Sequence, residues 1–469
     1  MRRANTALRE LLAEARWTED ALARRVNAIA AEIGLATRLD RRSVSHWLAG
    51  RCPRAPLPEM VAEAFARGLG RQISAVETGF ALVAAGSAAT VGKGEAAAKR
   101  AADPADPKED PLDTLELLCK LAESDRETDQ GGVYRLAALD DLHAWPAEDL
   151  FQPPFRAARG VRLEPEHVAA ARQMAKLFVD ADSVFGGGYA RAALARYLAY
   201  DIAPRLRAPA RRDTRRRMLS VAVELAYLCG FMCFDDERNA IAQRYYRAAL
   251  KLSVENDDPR SYAATLRAMS VQARTLGHYR EARALAEAAV ASVAECDLPN
   301  PQRASLYGPL AAAAAAQGDR EAAFKALTCA ERLLEGQSAG VVIADLEEGV
   351  LARYHSASHA DQEAAVRALL GDRPGAIKAL SESVRRHSAD DRRSRAITLA
   401  SLAELHLDQG HLDESVAACH AFIDEYPPLR SSRAQSALRR LTARMRPHAT
   451  NHGARQLLVR AAAVSRPMT

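Results

Sequence analysis

A glycine recurs at equivalent turns through the second half of the chain, and this recurrence constrains the fold more than any other feature. The turns at Gly277, Gly318, Gly371 and Gly410 lie 41, 53 and 39 residues apart. An earlier turn without glycine falls near residues 235–237, about 40 residues before Gly277. Self-similarity with a period of roughly 20–50 residues is typical of stacked supersecondary units. The spacing therefore predicts consecutive helical hairpins.

Small residues follow these turns at matching offsets, where a second helix must pack closely on the first. They are Ala242 and Ala249, Ala282 and Ala289, and Ala323 and Ala330. The 53-residue spacing indicates about 13 extra residues around 336–358. The units resemble tetratricopeptide repeats, although their period exceeds the usual 34 residues and the last unit has Ser415 and Cys419 at packing positions. This resemblance implies an α-solenoid with a concave binding surface.

Composition supports an all-α chain with several parts. Alanine-rich blocks recur throughout the 469 residues, and no stretch shows the alternation of a β-strand. Residues 1–85 contain short amphipathic helices, and residues 86–111 have the composition of a flexible linker. Residues 112–220 form a helical region that leads into the repeat solenoid of residues 221–469, predicted to act in sensing or dimerisation.

The positive charge of the chain is concentrated near its N-terminus. Residues 1–80 contain 13 Arg and no Lys against 9 acidic residues, a net charge of +4. The rest of the chain has 52 basic against 51 acidic residues. This asymmetry is typical of a small nucleic-acid-binding domain attached to a larger neutral one.

The sequence DRRSVSHWLAGRCPR predicts a short amphipathic helix that begins after Asp40, a good N-cap residue. Its apolar face consists of residues at spacing i, i+3, i+4: Val44, Trp47 and Leu48. A glycine suited to a left-handed C-terminus and a proline then end it: Gly50 and Pro53. We expect Trp47 to lie in the core.

This stretch resembles the helix-turn-helix of Cro/repressor-like proteins. It is more similar to the N-terminal domain of actinobacterial transcriptional regulators that combine a helix-turn-helix with tetratricopeptide-like repeats. The matching residues are Val44, Ser45, Trp47, Leu48, Gly50, Pro53 and Arg54, and residues 185–207 and 225–253 also look like stretches of that group. The connection from about Asn27 to Leu39 is longer than in minimal repressors. The resemblance implies a homodimeric transcription factor that binds double-stranded DNA.

A recognition helix presents its N-terminal residues to base edges in the major groove. The candidates for base recognition are therefore Arg41, Arg42, Ser43, Ser45 and His46. Arg51 and Arg54 lie beyond the helix and are candidates for phosphate contacts. The alternative is that these residues form the solvated face of an ordinary helix. A second arginine-rich stretch, residues 205–217, is either another phosphate-binding patch or a solvated connection.

The solenoid is expected to bind an effector, which is a peptide, a small molecule or a protein. First-helix residues predicted to point inward are Tyr227, Phe231, Asp235, Arg267, Arg274 and Glu404. Arg267 and Arg274 are seven residues apart on one helical face and could receive a carboxylate or phosphate. Tyr227 and Phe231 could equally belong to the core.

Other signals argue against an enzyme. No catalytic constellation, cofactor or metal site is predicted from the sequence. The stretch GSAATVGKG departs from the phosphate-loop pattern, and the glycines at 186–188 lie in a helical context and not in a dinucleotide-binding unit. The pairs Cys229/Cys233 and His355/His359 lack a matching second pair. The seven cysteines are scattered along the chain, and we expect them to be reduced thiols in the core. No segment is both apolar enough and long enough to span a membrane, so we expect a cytoplasmic protein.

Two alternative functions remain open at this stage. One is a protein-interaction scaffold whose N-terminal helices form a docking module without DNA affinity. The other is an intracellular receptor for a peptide. Charge reversal at Arg41 and Arg42 separates the first alternative from a regulator. It would abolish the DNA binding of a regulator, and it would leave the partner binding of a scaffold intact.

Overall fold

The computed structural model describes residues 4–32, 35–80, 110–123, 132–145, 162–335 and 356–465. Over these ranges the chain is helical, and its only β-type pairing is an isolated bridge between Leu163 and Ala210. The all-α prediction is confirmed. Most of the predicted linker 86–111, with the GSAATVGKG stretch, and almost all of the predicted insertion 336–358 lie outside the described residues.

Four short helices form an N-terminal unit around one apolar core. They are α1 (Thr6–Glu14), α2 (Glu19–Glu32), α3 (Arg41–Leu48) and α4 (Leu57–Leu69). Leu8, Val26, Val44 and Phe65 are fully buried in this core. Trp47 is 5% exposed and packs edge-on against Phe80, so its predicted core position is confirmed.

A second group of helices precedes the repeats. It contains α5 (Pro111–Glu123), α6 (Pro165–Phe185) and α7 (Gly187–Tyr197), which continues through a π-helical turn (Leu198–Ile202) into α8 (Ala203–Arg207). Gly186 forms the turn between α6 and α7, and Gly187 and Gly188 begin α7, so the glycines at 186–188 lie at a helix–helix turn as the sequence indicated. A β-carbon at Gly187 would lie 2.5 Å from the carbonyl oxygen of Met232, so only glycine allows these segments to approach this closely.

Consecutive helical hairpins make up the rest of the described chain. The hairpins are α9 (Arg212–Asp235) with α10 (Asn239–Glu255), α11 (Pro259–Thr275) with α12 (Tyr279–Ala291), α13 (Asn300–Ala316) with α14 (Arg320–Leu334), α15 (Ser356–Leu369) with α16 (Arg373–Arg386), and α17 (Arg392–Asp408) with α18 (Leu412–Glu425). Helices α19 (Ser432–Met445) and α20 (His452–Val464) follow. Helix α9 runs across the predicted boundary between residues 220 and 221.

The predicted turns and packing positions are confirmed. Each hairpin glycine has a positive φ: +87° at Gly277, +79° at Gly318, +84° at Gly371 and +76° at Gly410. In the first hairpin Glu237 adopts φ +57° instead. The six alanines predicted to follow the turns are all fully buried, because the second helix of each hairpin packs directly on the first at these positions.

The two ends of the hairpin array meet. The backbone N–H of Gly188 donates to the carbonyl of Arg430 (2.7 Å), and the N–H of Arg430 donates to the carbonyl of Phe185 (2.6 Å). Arg393 on α17 forms an ion pair of 3.1 Å with Asp182 on α6. Helices from both ends of the described chain therefore border the concave face, which the sequence predicted as a binding surface.

Helix α9 has the length and apolar composition to cross a membrane, and it is the one helix of the described residues that does. Most of its apolar stretch, 83%, is buried within the fold. Its residues contact α6, α7 and α10. This burial is typical of the central helix of a globular protein.

Candidate nucleic-acid interface and enclosed cavity

Helix α3 begins with a reciprocal cap. The Asp40 carboxylate accepts a hydrogen bond from the backbone N–H of Ser43 (2.9 Å), and the Ser43 hydroxyl also donates to it (2.9 Å). These hydrogen bonds lower the pKa of Asp40. The cap fixes the N-terminal turn of α3, which carries the predicted base-contacting residues.

The predicted base-contacting residues divide into two groups. Arg41, Arg42 and His46 are exposed, and the Arg41 side chain, 79% exposed, lies 3.6 Å from Glu19. Ser43 and Ser45 use their hydroxyls within the unit instead: Ser43 in the cap, and Ser45 as a donor to the Glu19 carboxylate. The outward surface of α3 is therefore cationic.

Arg51 and Arg54 follow α3 in a segment without regular secondary structure and are both exposed. The N–H of Arg51 donates to the carbonyl of His46 (3.0 Å), which holds the start of this segment against the end of α3. Neither guanidinium forms an ion pair within the described ranges. Both are therefore available to an anionic ligand beside the exposed face of α3.

The connection between α2 and α3 is shorter than the sequence predicted, because α2 continues to Glu32. Asn27 is therefore helical, and its side chain organises the connection from within α2. Its amide donates to the carbonyl of Leu39 (2.8 Å), and its carbonyl oxygen accepts from the N–H of Leu39 (2.9 Å) and the hydroxyl of Thr37 (2.8 Å). Asn27 thus sets the position of α3 on α2, a role that the sequence analysis missed.

A buried ionic cluster joins the N-terminal unit to the hairpin array. Arg67 pairs with Glu32 (2.6 Å) and with Glu63 (2.8 Å), and Glu32 lies 3.6 Å from His278 in the turn before α12. Burial opposes ionisation of Glu32, but the nearby His278 ring and the hydrogen bonds from Arg67 outweigh it and lower its pKa. Burial dominates at Glu63 and raises its pKa.

Residues 132–145, here called the strap, extend from this cluster along the array. Tyr134 is fully buried and stacks on His278 with ring centroids 5.7 Å apart. The Gln243 side chain hydrogen-bonds both the N–H and the carbonyl of Arg135 (3.0 and 2.8 Å). Arg247 forms a bidentate ion pair with Asp141 (2.7 and 2.8 Å). On its other side Arg67 donates to the carbonyl of Tyr134 (3.0 Å), and the N–H of Leu136 donates to Glu63 (3.1 Å). The strap therefore holds the N-terminal unit against the array.

The arginines of residues 205–217 are largely occupied by acidic residues of the same chain. Their ion pairs are Arg205 with Asp201, Arg207 with Asp113 and Glu116, Arg215 with Glu255, and Arg217 with Asp213. Arg212 and Arg216 are exposed at the start of α9. This pairing favours a solvated connection between helices over a second phosphate-binding patch.

The concave face contains a partly open cavity of about 240 Å³. Of the predicted effector residues, Tyr227, Phe231 and Arg267 line it. Asp235 is fully buried and accepts the N–H of Gly187 (3.0 Å), while Arg274 lies close enough to interact with Asp361 in the cavity wall. Glu404 does not line the cavity and instead pairs with Arg440 (3.1 Å).

The sequence analysis missed several lining residues, chiefly Asp361, Arg393 and Arg433. They come from the fourth and fifth hairpins and α19, which reach this cavity only because the array closes on itself. The cysteine prediction also needs correction. Cys52 is exposed, since it lies in the segment after α3, and Cys296 and Cys329 are half-buried.

Residues 8–81 match the family described as the SP15 N-terminal domain. The match begins within α1, spans α2, α3 and α4, and ends just after Phe80, which packs on Trp47. No curated protein matches the chain. The family match thus coincides with the structural limits of the N-terminal unit.

Proposed function

We propose that the chain is a DNA-binding transcriptional regulator whose N-terminal unit is a helix-turn-helix domain and whose hairpin array binds an effector. The observation that supports this most directly is the division of α3 into two faces. Val44, Trp47 and Leu48 hold the helix in the core. Arg41 and Arg42 project from its capped N-terminal turn into solvent.

This arrangement has the chemistry that major-groove recognition requires. An Arg side chain can bind O6 and N7 of guanine with two hydrogen bonds, and His46 can hydrogen-bond a base or phosphate. Arg51 and Arg54 would neutralise backbone phosphates beside the groove. Ser43 and Ser45 have secondary roles in this scheme, because their hydroxyls already stabilise α3.

We also propose that the regulator acts as a homodimer, so that two α3 helices reach successive major grooves. Half-sites would then lie about 10–10.5 base pairs apart, or a multiple of that distance. In each protomer the strap keeps the N-terminal unit on the array. The effector would therefore act by shifting a docked domain.

Selection of binding sites from a random double-stranded DNA library, using the full chain, tests the proposal. We expect enrichment of a recurring inverted repeat, and its loss in the double variant Arg41→Glu/Arg42→Glu. The matched control is Arg212→Glu/Arg216→Glu, which reverses two exposed charges at the start of α9. Equal enrichment by the α3 variant, or no recurring site for the native chain, would favour an interaction scaffold.

A further inference from the structure

The cavity inside the array has a strongly aromatic wall. Tyr227, Phe231 and Phe234 come from α9, and Tyr246 comes from α10. The opposite wall comes from α11, α15, α17 and α19, which bring polar and charged side chains. A volume of about 240 Å³ lies just below the roughly 300–1,000 Å³ of common ligand sites, so it suits a small molecule.

Two arginines that line this cavity, Arg267 and Arg433, and a third beside it, Arg274, have no ion-pair partner among the described residues. Arg267 donates to the Tyr227 hydroxyl (2.9 Å), but its Nε is buried without a hydrogen-bond partner. The Nε of Arg274 is in the same situation. Arg433 lies over the Phe234 ring at 4.9 Å. Burying an unpaired charge is unfavourable, so such a cluster favours an anion.

The lining of the cavity contains more arginines than acidic residues. Arg267, Arg393 and Arg433 line it, and Asp361 is its one acidic lining residue among the described residues. Arg393 is paired with Asp182, and Asp235 and Glu237 lie behind the lining, close enough to interact with Arg433. Burial raises the pKa of Asp361 and so weakens its negative charge. Burial lowers the pKa of Arg433, despite Asp235, and the neighbouring Arg393 lowers it further. Positive charge therefore exceeds negative charge along the cavity lining itself.

We propose that this cavity binds a small organic anion, whose carboxylate or phosphate group faces Arg267 and Arg433 and whose apolar body packs on Tyr227 and Phe231. Arginine suits this role because its planar donors match carboxylate and phosphate oxygens. The aromatic side chains supply apolar area for a flat ligand. This inference rests on the proposed function in treating the ligand as the effector, but the binding itself does not require DNA.

The position of Arg433 gives the ligand a route to the N-terminal unit. Arg433 and Phe234 also line a second, larger cavity of about 900 Å³. Ala28 and Glu32 of α2 form part of that cavity's wall. An anion that draws Arg433 toward the inner cavity would therefore change the packing beside α2, the helix on which α3 rests.

Calorimetric titration of the full chain with benzoate, phenyl phosphate and benzamide tests the proposal. We expect benzoate or phenyl phosphate to bind with one-to-one stoichiometry and the neutral benzamide to bind much more weakly. Arg433→Gln and Arg267→Gln should each weaken anion binding about tenfold or more, because each removes a charged hydrogen-bond donor. The matched control is Arg444→Gln, on the same helix but paired with Asp408.

Three results would overturn the inference: equal binding of benzamide, unchanged binding in both cavity variants, or no binding of either anion. Thermal unfolding checks the variants. Arg433→Gln removes a half-buried charge that has no ion-pair partner among the described residues, so the Tm of the ligand-free variant should not fall. If it does fall, Arg267→Gln gives an independent variant. A DNA-binding assay distinguishes failure of this inference from failure of the proposed function. Anion binding without an effect on DNA binding would refute only the regulatory role of the ligand. Site-specific DNA binding without anion binding would refute only this inference.

Discussion

Arginine side chains occupy three different electrostatic settings in this molecule. On α3 they are exposed. At the junction with the array, Arg67 is largely buried between two carboxylates. In the inner cavity, Arg433 is half-buried over the Phe234 ring without an ion-pair partner among the described residues. The sequence predicts the first setting, because N-cap and apolar spacing are local. It does not predict the second, because Glu32 and Arg67 are 35 residues apart and meet only through tertiary packing.

The two kinds of DNA contact proposed for the N-terminal unit predict different mutational effects. Arg42→Ala should lower affinity for the preferred site by about 1–3 kcal/mol and relax the base preference at one position. Arg54→Ala should weaken binding to all sequences alike and reduce the slope of log K against log salt by about 0.9. Fluorescence anisotropy at several salt concentrations, with cognate and scrambled DNA, measures both. Identical effects of the two variants would contradict the assignment of roles.

Arg67 is expected to contribute strongly to stability. Arg67→Met leaves Glu32 and Glu63 buried without their cation, and breaking a buried pair in this way costs about 3–5 kcal/mol. The control is Arg71→Met, which removes an exposed pair with Glu14 and should cost about 1 kcal/mol or less. Urea unfolding followed by tryptophan fluorescence reports on the unit, since Trp17 stacks on Phe65. Similar midpoints for the two variants would contradict a buried role for Arg67.

At the scale of elements, the hairpin turns explain why the repeats could be found in the sequence. A left-handed residue is required between the two helices of each unit, and glycine adopts it without steric cost. The first hairpin is the exception, because Glu237 takes the left-handed conformation there with φ +57°. Its carboxylate accepts a hydrogen bond from the hydroxyl of Ser436 on α19 (2.8 Å). The glycine pattern therefore fails at the hairpin where the two ends of the array meet.

Replacing a turn glycine should isolate the contribution of the left-handed backbone conformation to the free energy of unfolding. No atom lies within 4 Å of the β-carbon position at Gly318, so Gly318→Ala introduces φ strain and no clash. We expect a loss of about 1 kcal/mol in the free energy of unfolding. Gly318→Asn should cost less, because asparagine tolerates the left-handed region. Equal stability of the alanine variant and the native chain, in urea unfolding, would contradict the turn assignment.

At the scale of the whole molecule, closure of the array is the feature that sequence periodicity could not supply. Repeats predict which helices are neighbours, but Arg393 and Asp182 are 211 residues apart and neither belongs to the repeat pattern. The cavity residues Tyr227 and Arg267 were predictable because they lie on first helices of early hairpins. Arg433 and Asp361 were not, because only closure brings their helices opposite α9.

Breaking the closure should have effects at both ends of the chain. Arg393→Met leaves Asp182, 4% exposed, without its cation, and we expect amide hydrogen exchange to increase in α6 as well as in α17. The control is Arg460→Met, which removes the ion pair with Asp424 between α18 and α20, away from the closure. Faster exchange confined to α17 would show that the two ends are not energetically coupled.

The contact between the array's ends also limits how this chain can change by duplication. An open solenoid can gain or lose a unit and still bury its surfaces, since each unit packs only on its neighbours. Here an added hairpin would carry α17 away from α6 and separate Arg430 from Phe185 and Gly188. Descendants of this sequence should therefore keep a constant number of hairpins and vary instead in the loops between them.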